Sequence, residues 1–514
     1  MSTIAYCLAA LLSYFAVRSI RNREREDIRH APGPSAKTAS WIWGHELEVF
    51  NGQAIEAYSK WMNIYGPLIK IKAALFHHDL IIVGDHAAVQ QIFTDTNTYR
   101  KSPSFSPVIA NTVGKGLVWA EGDEHAHQRR LLLQAFTLES VKGMSDDVLE
   151  CAERLESRLA NLVLSNDGAA TVNIVAYTSS CTLDVIGRVS FGHDFRSGQS
   201  TEAQEIAESW NNLVNMGLTF TAFLAPVVLR AFPFITSLPV KSIQAQGQIK
   251  TIVGRLARKI VDDGSHIEKG KNMLSIMMRY EGDGGLSTTQ IIDNITTFTM
   301  AGHETTSGVL AFTLLELARH PEVQKRLRDE VIQYGGTLSY DTIPKLEYLD
   351  AVVKEGLRIH PAAPQTERVA MRDDVLPLLT PIKTKDGQVL TTFKVRKGQV
   401  LYVPFTAMQT NPAVWGVDAT EFKPERWITP GAVPQAKELP HGWSNLVAFC
   451  DGPRNCIGYR LALFELKAIL ATLVRTLAFH PTDAVVEKKI TITLQAVTNG
   501  NGGVLPLQVT LAPP

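Results

Sequence analysis

Residues 287–320 constrain the architecture more than any other stretch. Ser287-Thr288-Thr289-Gln290 has the form of a capping box, with Ser287 as N-cap and Gln290 at the third helical position. Apolar residues follow at Ile291, Ile292, Ile295 and Phe298, and again at Leu310, Phe312, Leu314, Leu315 and Leu317. His320-Pro321 ends the pattern. A helix of about 32 residues is about 48 Å long at 1.5 Å per residue. That is enough to cross a domain, so other elements must pack around it. Its middle, Ala301-Gly302-His303-Glu304-Thr305-Thr306, is poor helix material, with a charge at Glu304 amid apolar neighbours. Read alone, threonines bonding back to helix carbonyls account for this turn.

The apolar spacing is mostly helical from about residue 125 to 360. Strands are expected at 68–72 and 80–83, and strand-like runs return at 389–403. Ile490 to Leu494, the turn signal Asn499-Gly500-Asn501-Gly502-Gly503 and the run Val504 to Leu511 predict a C-terminal hairpin. The fold class is mainly α with a smaller β region at the edges. No internal repeat or composition break falls between about residue 40 and the end, so 41–514 reads as a single catalytic domain. Pro226 and Pro233 interrupt the dense apolar stretch Leu213 to Phe234, so it reads as no membrane span. Core packing is the ordinary reading, and a mobile flap over a substrate is the functional one. Lys+Arg and Asp+Glu both number 51, and no long basic block follows residue 30, so no nucleic-acid partner is expected. Five cysteines without a C-x-x-C pair form neither a disulfide framework nor a zinc knuckle.

The N-terminus has its own chemistry. Met1 to Val17 carries no charged side chain, and Arg18, Arg21, Arg23 and Arg25 follow. A cleaved signal peptide has its positive charges before the apolar stretch; here the order is reversed. Residues 1–20 therefore read as an uncleaved single-pass anchor, with the rest of the chain on the cytoplasmic side. Residues 21–40 read as a basic linker stiffened by Ala31-Pro32-Gly33-Pro34.

Near the C-terminus, Phe449-Cys450-Asp451-Gly452-Pro453-Arg454-Asn455-Cys456-Ile457-Gly458 precedes an amphipathic helix marked by Leu461, Phe464, Leu466, Ile469, Leu470 and Leu473. A cysteine at a helix N-terminus, with Arg454 two residues before it, favours the thiolate that binds metal. A structural cysteine and an activated nucleophile are the competing readings of the residue alone. The whole pattern, Phe-x-x-Gly-x-Arg-x-Cys-x-Gly, resembles the haem-binding loop of the cytochrome P450 superfamily. Ala301 to Thr306 looks like that family's oxygen-binding helix, Glu355 and Arg358 like its helical Glu–Arg pair, and Pro424-Glu425-Arg426-Trp427 like the segment whose arginine joins the pair.

The resemblance covers the chain from anchor to C-terminus and is closest to the membrane-anchored, fungal-like microsomal branch. It implies a helical prism with edge β-sheets, holding haem b with Cys456 as the axial ligand and Phe449, Gly452 and Gly458 framing the group. Arg129, Arg368 and Arg454 would hold its propionates. His125 stands where the family usually has tryptophan, and can donate to a propionate too. Cys450 stands where small residues are commoner. Thr305 and Glu304 would manage oxygen and protons, and Glu355, Arg358 and Arg426 would form a structural triad.

Segments that resemble substrate-contact regions contain Phe105, Val108, Ile109, Phe220, Phe223, Phe298, Ala301, Ala363, Thr366 and Val497. They imply a lipophilic substrate, as in secondary metabolism. The implied reaction is monooxygenation with O₂. Electrons would come from NADPH through a separate flavoprotein reductase, with cytochrome b5 as a second donor, since the chain has no dinucleotide fingerprint. The implied location is the endoplasmic reticulum membrane. Two alternatives stay open: a family member that isomerises or dehydrates without activating O₂, and a haem-binding sensor or carrier. The Glu304-Thr305 pair speaks against both.

Overall fold

The long helix forms where its cap and its stop place it. In the computed structural model, Ser287 Oγ accepts the Gln290 N–H at 3.2 Å and Gln290 Oε1 accepts the Ser287 N–H at 2.9 Å. The structure describes residues 30–513 except 76, 104–105, 233–247, 263–271, 280–283 and 436. The anchor at 1–20 and the first part of the linker lie outside the described residues.

The principal helices are α1 (His86–Thr94), α2 (Gly122–Leu132), α3 (Ser145–Leu164), α4 (Ile174–Phe191), α5 (Thr201–Gly217), α6 (Phe220–Ala231), α7 (Thr288–Arg319), α8 (Glu347–Ile359) and α9 (Tyr459–Thr476). Most of α7 is buried, and Leu310, Leu314 and Leu317 sit in one apolar core with Leu155 and Leu159 of α3, Val185 of α4 and Leu470 of α9. Its weak helix formers are explained by packing. The Thr296, Thr299, Thr305 and Thr313 hydroxyls each donate to the carbonyl four residues back. A Cβ on Gly302 would stand 2.8 Å from Ile186 Cδ1, so glycine is what lets α4 lie so close.

A second core surrounds a five-stranded sheet with the order β1 (Leu68–Ile71), β2 (Leu80–Val83), β8 (Val400–Val403), β5 (Thr366–Ala370), β3 (Tyr99–Arg100). Only the β2–β8 pair is parallel. β6 (Asp374–Lys383) pairs with β7 (Val389–Val395). β4 (Ala169–Asn173) interrupts the helical middle and pairs with β13 (Pro506–Leu511), which also pairs with β9 (Leu477–Pro481). The mainly helical class with small sheets is as the sequence predicts.

Three details differ. The C-terminal hairpin is not the one read from sequence: β10 (Val486–Ile490) pairs with β11 (Leu494–Thr498), turning at 491–493. After Asn499-Gly500 only the two residues of β12 (Asn501–Gly502) return along β11, and residues 506–511 join a different sheet. The reason is that β13 has two partner strands in β4 and β9, whereas beside β11 it would have one. Pro226 does not break the 213–234 stretch either. It lies inside α6, and the chain bends by 75° between α5 and α6 instead. Pro233 lies outside the described residues. The 31–34 run is buried rather than a free spacer, with the Pro32 carbonyl accepting the Lys70 N–H of β1 at 2.8 Å. Among the described residues no single helix is long and apolar enough to cross a membrane; the bent pair α5–α6 meets that test only by length and composition.

Behind the cysteine loop, Glu355 and Arg358 are fully buried. Arg358 donates from Nε and Nη2 to the two Glu355 oxygens, both at 2.8 Å. Its remaining N–H groups reach the carbonyls of Gln409, Ala419 and Glu421. Arg426 joins the expected triad loosely: its Nε is 3.7 Å from Glu355, while it pairs with the Asp418 carboxylate at 3.0 Å and donates to the Trp415 and Asp418 carbonyls. The closer third partners are Trp427 Nε1 and the Lys423 N–H, each donating to Glu355 at 2.9 Å. Gln409 also donates to the Arg358 carbonyl and accepts the Val447 N–H, which ties the lock to the strand of chain entering the cysteine loop. Glu355→Ala strips a buried cation of its anion and is expected to lower unfolding free energy by about 3–5 kcal/mol, read from urea denaturation.

Candidate functional site

Cys456 lies two residues before Gly458, the N-cap of α9. Its N–H donates to the Phe449 carbonyl at 2.8 Å, which closes the loop. Cys456 is exposed as a residue, while the protein around it desolvates its thiol. Burial pushes the thiol up to about 11, against the opposing pull of the Gly458 N–H and Arg129. The sequence predicts a lowered thiol from the helix N-terminus and Arg454. In the folded chain desolvation outweighs the first, and the cation that acts on the sulfur is Arg129. Cys450 has φ +56° and is likewise raised by burial. Gly452 has φ +65°, and a Cβ there would stand 2.4 Å from the Phe93 carbonyl oxygen, so this position admits only glycine.

Cations gather beside this loop. Arg129 Nη1 donates to the Asn455 carbonyl at 2.8 Å, and Nη2 to the Asn455 side chain. Arg454 donates to the Ala120 carbonyl at 3.1 Å and pairs with Glu121 at 2.5 Å, while Lys101 lies 3.3 Å from the same carboxylate. Arg368 donates to the Thr366 hydroxyl and the Glu367 carbonyl, both at 2.7 Å. Burial lowers all four, Lys101 to about 8. Neither Arg129 nor Arg368 is ion-paired to a carboxylate among the described residues, and the Arg454 Nε is buried without a hydrogen bond. His125 is buried among them, pushed down to about 3 by burial and then by Arg454, Arg129 and Lys101, so it is a neutral imidazole. Such a cluster of partly unpaired cations, Arg368 buried and the other three half-buried, fits an anionic group, as the two propionates of haem are. Lys101, Glu121 and Asn455 were not singled out by sequence; Asn455 alone carries a signal, sitting inside the motif.

Ala301 is exposed in the middle of an otherwise buried helix, and the Thr305 hydroxyl donates to its carbonyl. Glu304 points elsewhere. Its carboxyl is buried, with Ser179 Oγ 3.5 Å and His303 Nε2 3.3 Å away, and Ser179 Oγ lies 2.6 Å from the same His303 nitrogen. The residue lines a cavity of about 440 Å³ shared with Ser179, Trp210, Asn211, Gln495 and Gly502. Burial raises the carboxyl to about 8, tempered by hydrogen bonds from Ser179 and Trp210, and burial lowers His303 to about 3.

The apolar residues named from sequence do not form one group. Phe220 and Phe223 pack with Trp43, whereas Phe298 packs edge-on against Phe136 at 5.2 Å in the main core. Val108 and Ile109 are half-buried on the short helix Ser106–Val113, Ala363 and Thr366 are half-buried near Arg368, and Val497 is buried in β11. Phe105 lies outside the described residues. Phe449 meets Trp443 and Tyr459, and Gly458 faces the Phe136 ring.

Residues 34–505 match the family model described as cytochrome P450. Cytochrome P450 monooxygenase 205 of Postia placenta is 30% identical over 494 residues, covering 90% of this chain and 89% of that protein. Cytochrome P450 monooxygenase claO of Ampulloclitocybe clavipes is 30% identical over 500 residues, covering 93% and 92%. This chain belongs to the cytochrome P450 family.

A carboxyl whose folded value is raised is more protonated in the folded state, so Glu304 stabilises fully below its unfolded value of 4.5 and progressively less as pH rises to about 8. Between those limits it contributes a fall of about 1.4 kcal/mol per pH unit. Glu304→Gln is expected to remove that part of the slope, read from urea unfolding of both proteins at about pH 5 and about pH 8.

Proposed function

We infer that this chain is a haem-thiolate monooxygenase. The observation that carries the reading is an exposed Cys456 at the end of a loop flanked by partly unpaired cations, in a chain whose relatives are named monooxygenases. Haem, once bound, supplies oxygen activation: one atom of O₂ enters the substrate and the other leaves as water, consuming two electrons and two protons.

The chain's own residues hold, orient and protonate. Arg129, Arg368, Arg454 and neutral His125 would present N–H donors to the haem carboxylates. The Thr305 hydroxyl, donating to the Ala301 carbonyl at rest, is the polar group of the exposed turn. Glu304 keeps its proton at neutral pH and reaches the polar cavity on the Ser179 side, which supports a role in proton supply. The retained acid and threonine favour oxygen activation over isomerisation, dehydration or simple haem carriage. Electrons come from NADPH through a separate flavoprotein reductase, with cytochrome b5 as a second donor, and the substrate is lipophilic. Residues 1–20 anchor the chain in the endoplasmic reticulum membrane with the catalytic part facing the cytoplasm, a reading supported by the uncharged run to Val17 and the arginines after it.

The reduced, carbon-monoxide-bound spectrum tests the ligand. A thiolate-type, red-shifted Soret band is expected and is lost in Cys456→Ala; a histidine-type band in the wild type would overturn the reading. Thr305→Ala is expected to lower the ratio of product to peroxide by about tenfold or more, measured as both yields per NADPH consumed.

A further inference from the structure

A chain of titratable groups that ends on Asp451 of the cysteine loop takes no part in the chemistry above. His86 Nδ1 lies 2.9 Å from His441 Nε2, and His441 Nδ1 lies 3.3 Å from Asp451 Oδ2. Both imidazoles are buried. The other Asp451 oxygen accepts the Gly452 N–H at 2.8 Å and caps the short turn Gly452–Arg454, which leads straight to Cys456. An ionised carboxylate only accepts, so His441 presents Nδ1–H to Asp451 and leaves Nε2 to meet His86. Burial keeps His86 neutral, pushing it down to about 3. Burial acts to raise the Asp451 carboxyl, yet hydrogen bonds from His441 and Gly452 hold it below its ordinary value.

The chain joins two elements that also meet elsewhere. His86 is the first residue of α1, and Phe93, near the last, has its carbonyl oxygen where a Cβ on Gly452 would have to stand. Helix α1 thus grips the loop by hydrogen bonds at one end and by close fit at the other. Around the sulfur the loop is tied by the Cys456 N–H to the Phe449 carbonyl, the Asn455 N–H to the Gly452 carbonyl, Arg129 to Asn455, and Arg454 to Ala120 and Glu121; the Asp451 side chain is held separately, by His441.

We propose that His441 is a positioning residue for Cys456, pinning through Asp451 and His86 the loop conformation that presents the sulfur. The proposal rests on the reading that Cys456 binds haem iron.

The test uses the haem-loaded full chain and three variants. His441→Phe keeps the ring and loses both hydrogen bonds, His441→Asn keeps a donor toward Asp451, and His86→Phe removes the outer link alone. The measurement is the rate at which the thiolate-type carbon-monoxide band converts to a thiol-type band, held below the onset of helix loss by circular dichroism. His441→Phe is expected to convert about fivefold faster, the factor that one net hydrogen bond is worth. His441→Asn should stay within about twofold of the wild type, and His86→Phe should fall between. A wild-type rate in His441→Phe overturns the proposal, as does helix loss that accelerates in step with the band. If His441→Phe does not fold, a wild-type rate in His86→Phe overturns it.

A wild type without the thiolate-type band would refute the ligand reading, not this one. Amide hydrogen exchange at 449–456 then decides: faster exchange at Gly452 in the variants supports the pinning, and unchanged exchange overturns it.

Discussion

Arg129, Arg368, Arg454 and Lys101 are drawn together in a desolvated region where, among the described residues, Glu121 is the one carboxylate paired with them. Like charges at low dielectric repel strongly, and each also loses hydration on burial. A fold keeps such a cluster only when something holds the cations in place and something anionic answers them. The first task falls to backbone carbonyls at 120, 367 and 455. The second would fall to the carboxylates of a bound haem, as proposed above. The neutrality of His125 follows from the same field, because a further positive charge there would be opposed from three directions.

The rest of the architecture can be understood as support for that arrangement. The Glu355–Arg358 pair satisfies five guanidinium N–H groups in the dry interior and passes its rigidity through Gln409 to Val447. In helix α7, Gly302 lets α4 approach on one side and Ala301 is left open on another. Adjacent residues of one helix differ in direction by about 100°, so neighbouring Glu304 and Thr305 serve different spaces. Glu304 meets Ser179 and the polar cavity, whereas Thr305 stays with Ala301.

Much of this was legible in the residues. The capping box at Ser287 and the stop at His320 set both ends of α7, because local hydrogen bonding and proline chemistry decide helix ends. Alternating apolar runs located β1 and β2 for a similarly local reason. The cysteine motif was legible because glycine at 452 and cysteine at 456 answer to needs of a short, contiguous loop. The hairpin at the C-terminus was misread since strand pairing is not local: β13 prefers the two partners β4 and β9, the first more than 330 residues away in sequence. Pro226 was misread because a proline within a helix can be tolerated where tertiary packing holds the helix on either side, as the apolar contacts of Phe223 and Val227 do here.

By itself, then, the sequence determined the helix boundaries, the motif loop and its family resemblance, all of which depend on neighbours within a few positions. Only the tertiary structure decided that the Cys456 thiol is raised rather than lowered, that Trp427 and Lys423 outdo Arg426 as partners of Glu355, that Glu304 turns toward Ser179, and that His86, His441 and Asp451 form one chain. Each of these depends on desolvation or on contacts across long stretches of chain. Such quantities do not exist until distant segments have been brought together and water has been driven out between them.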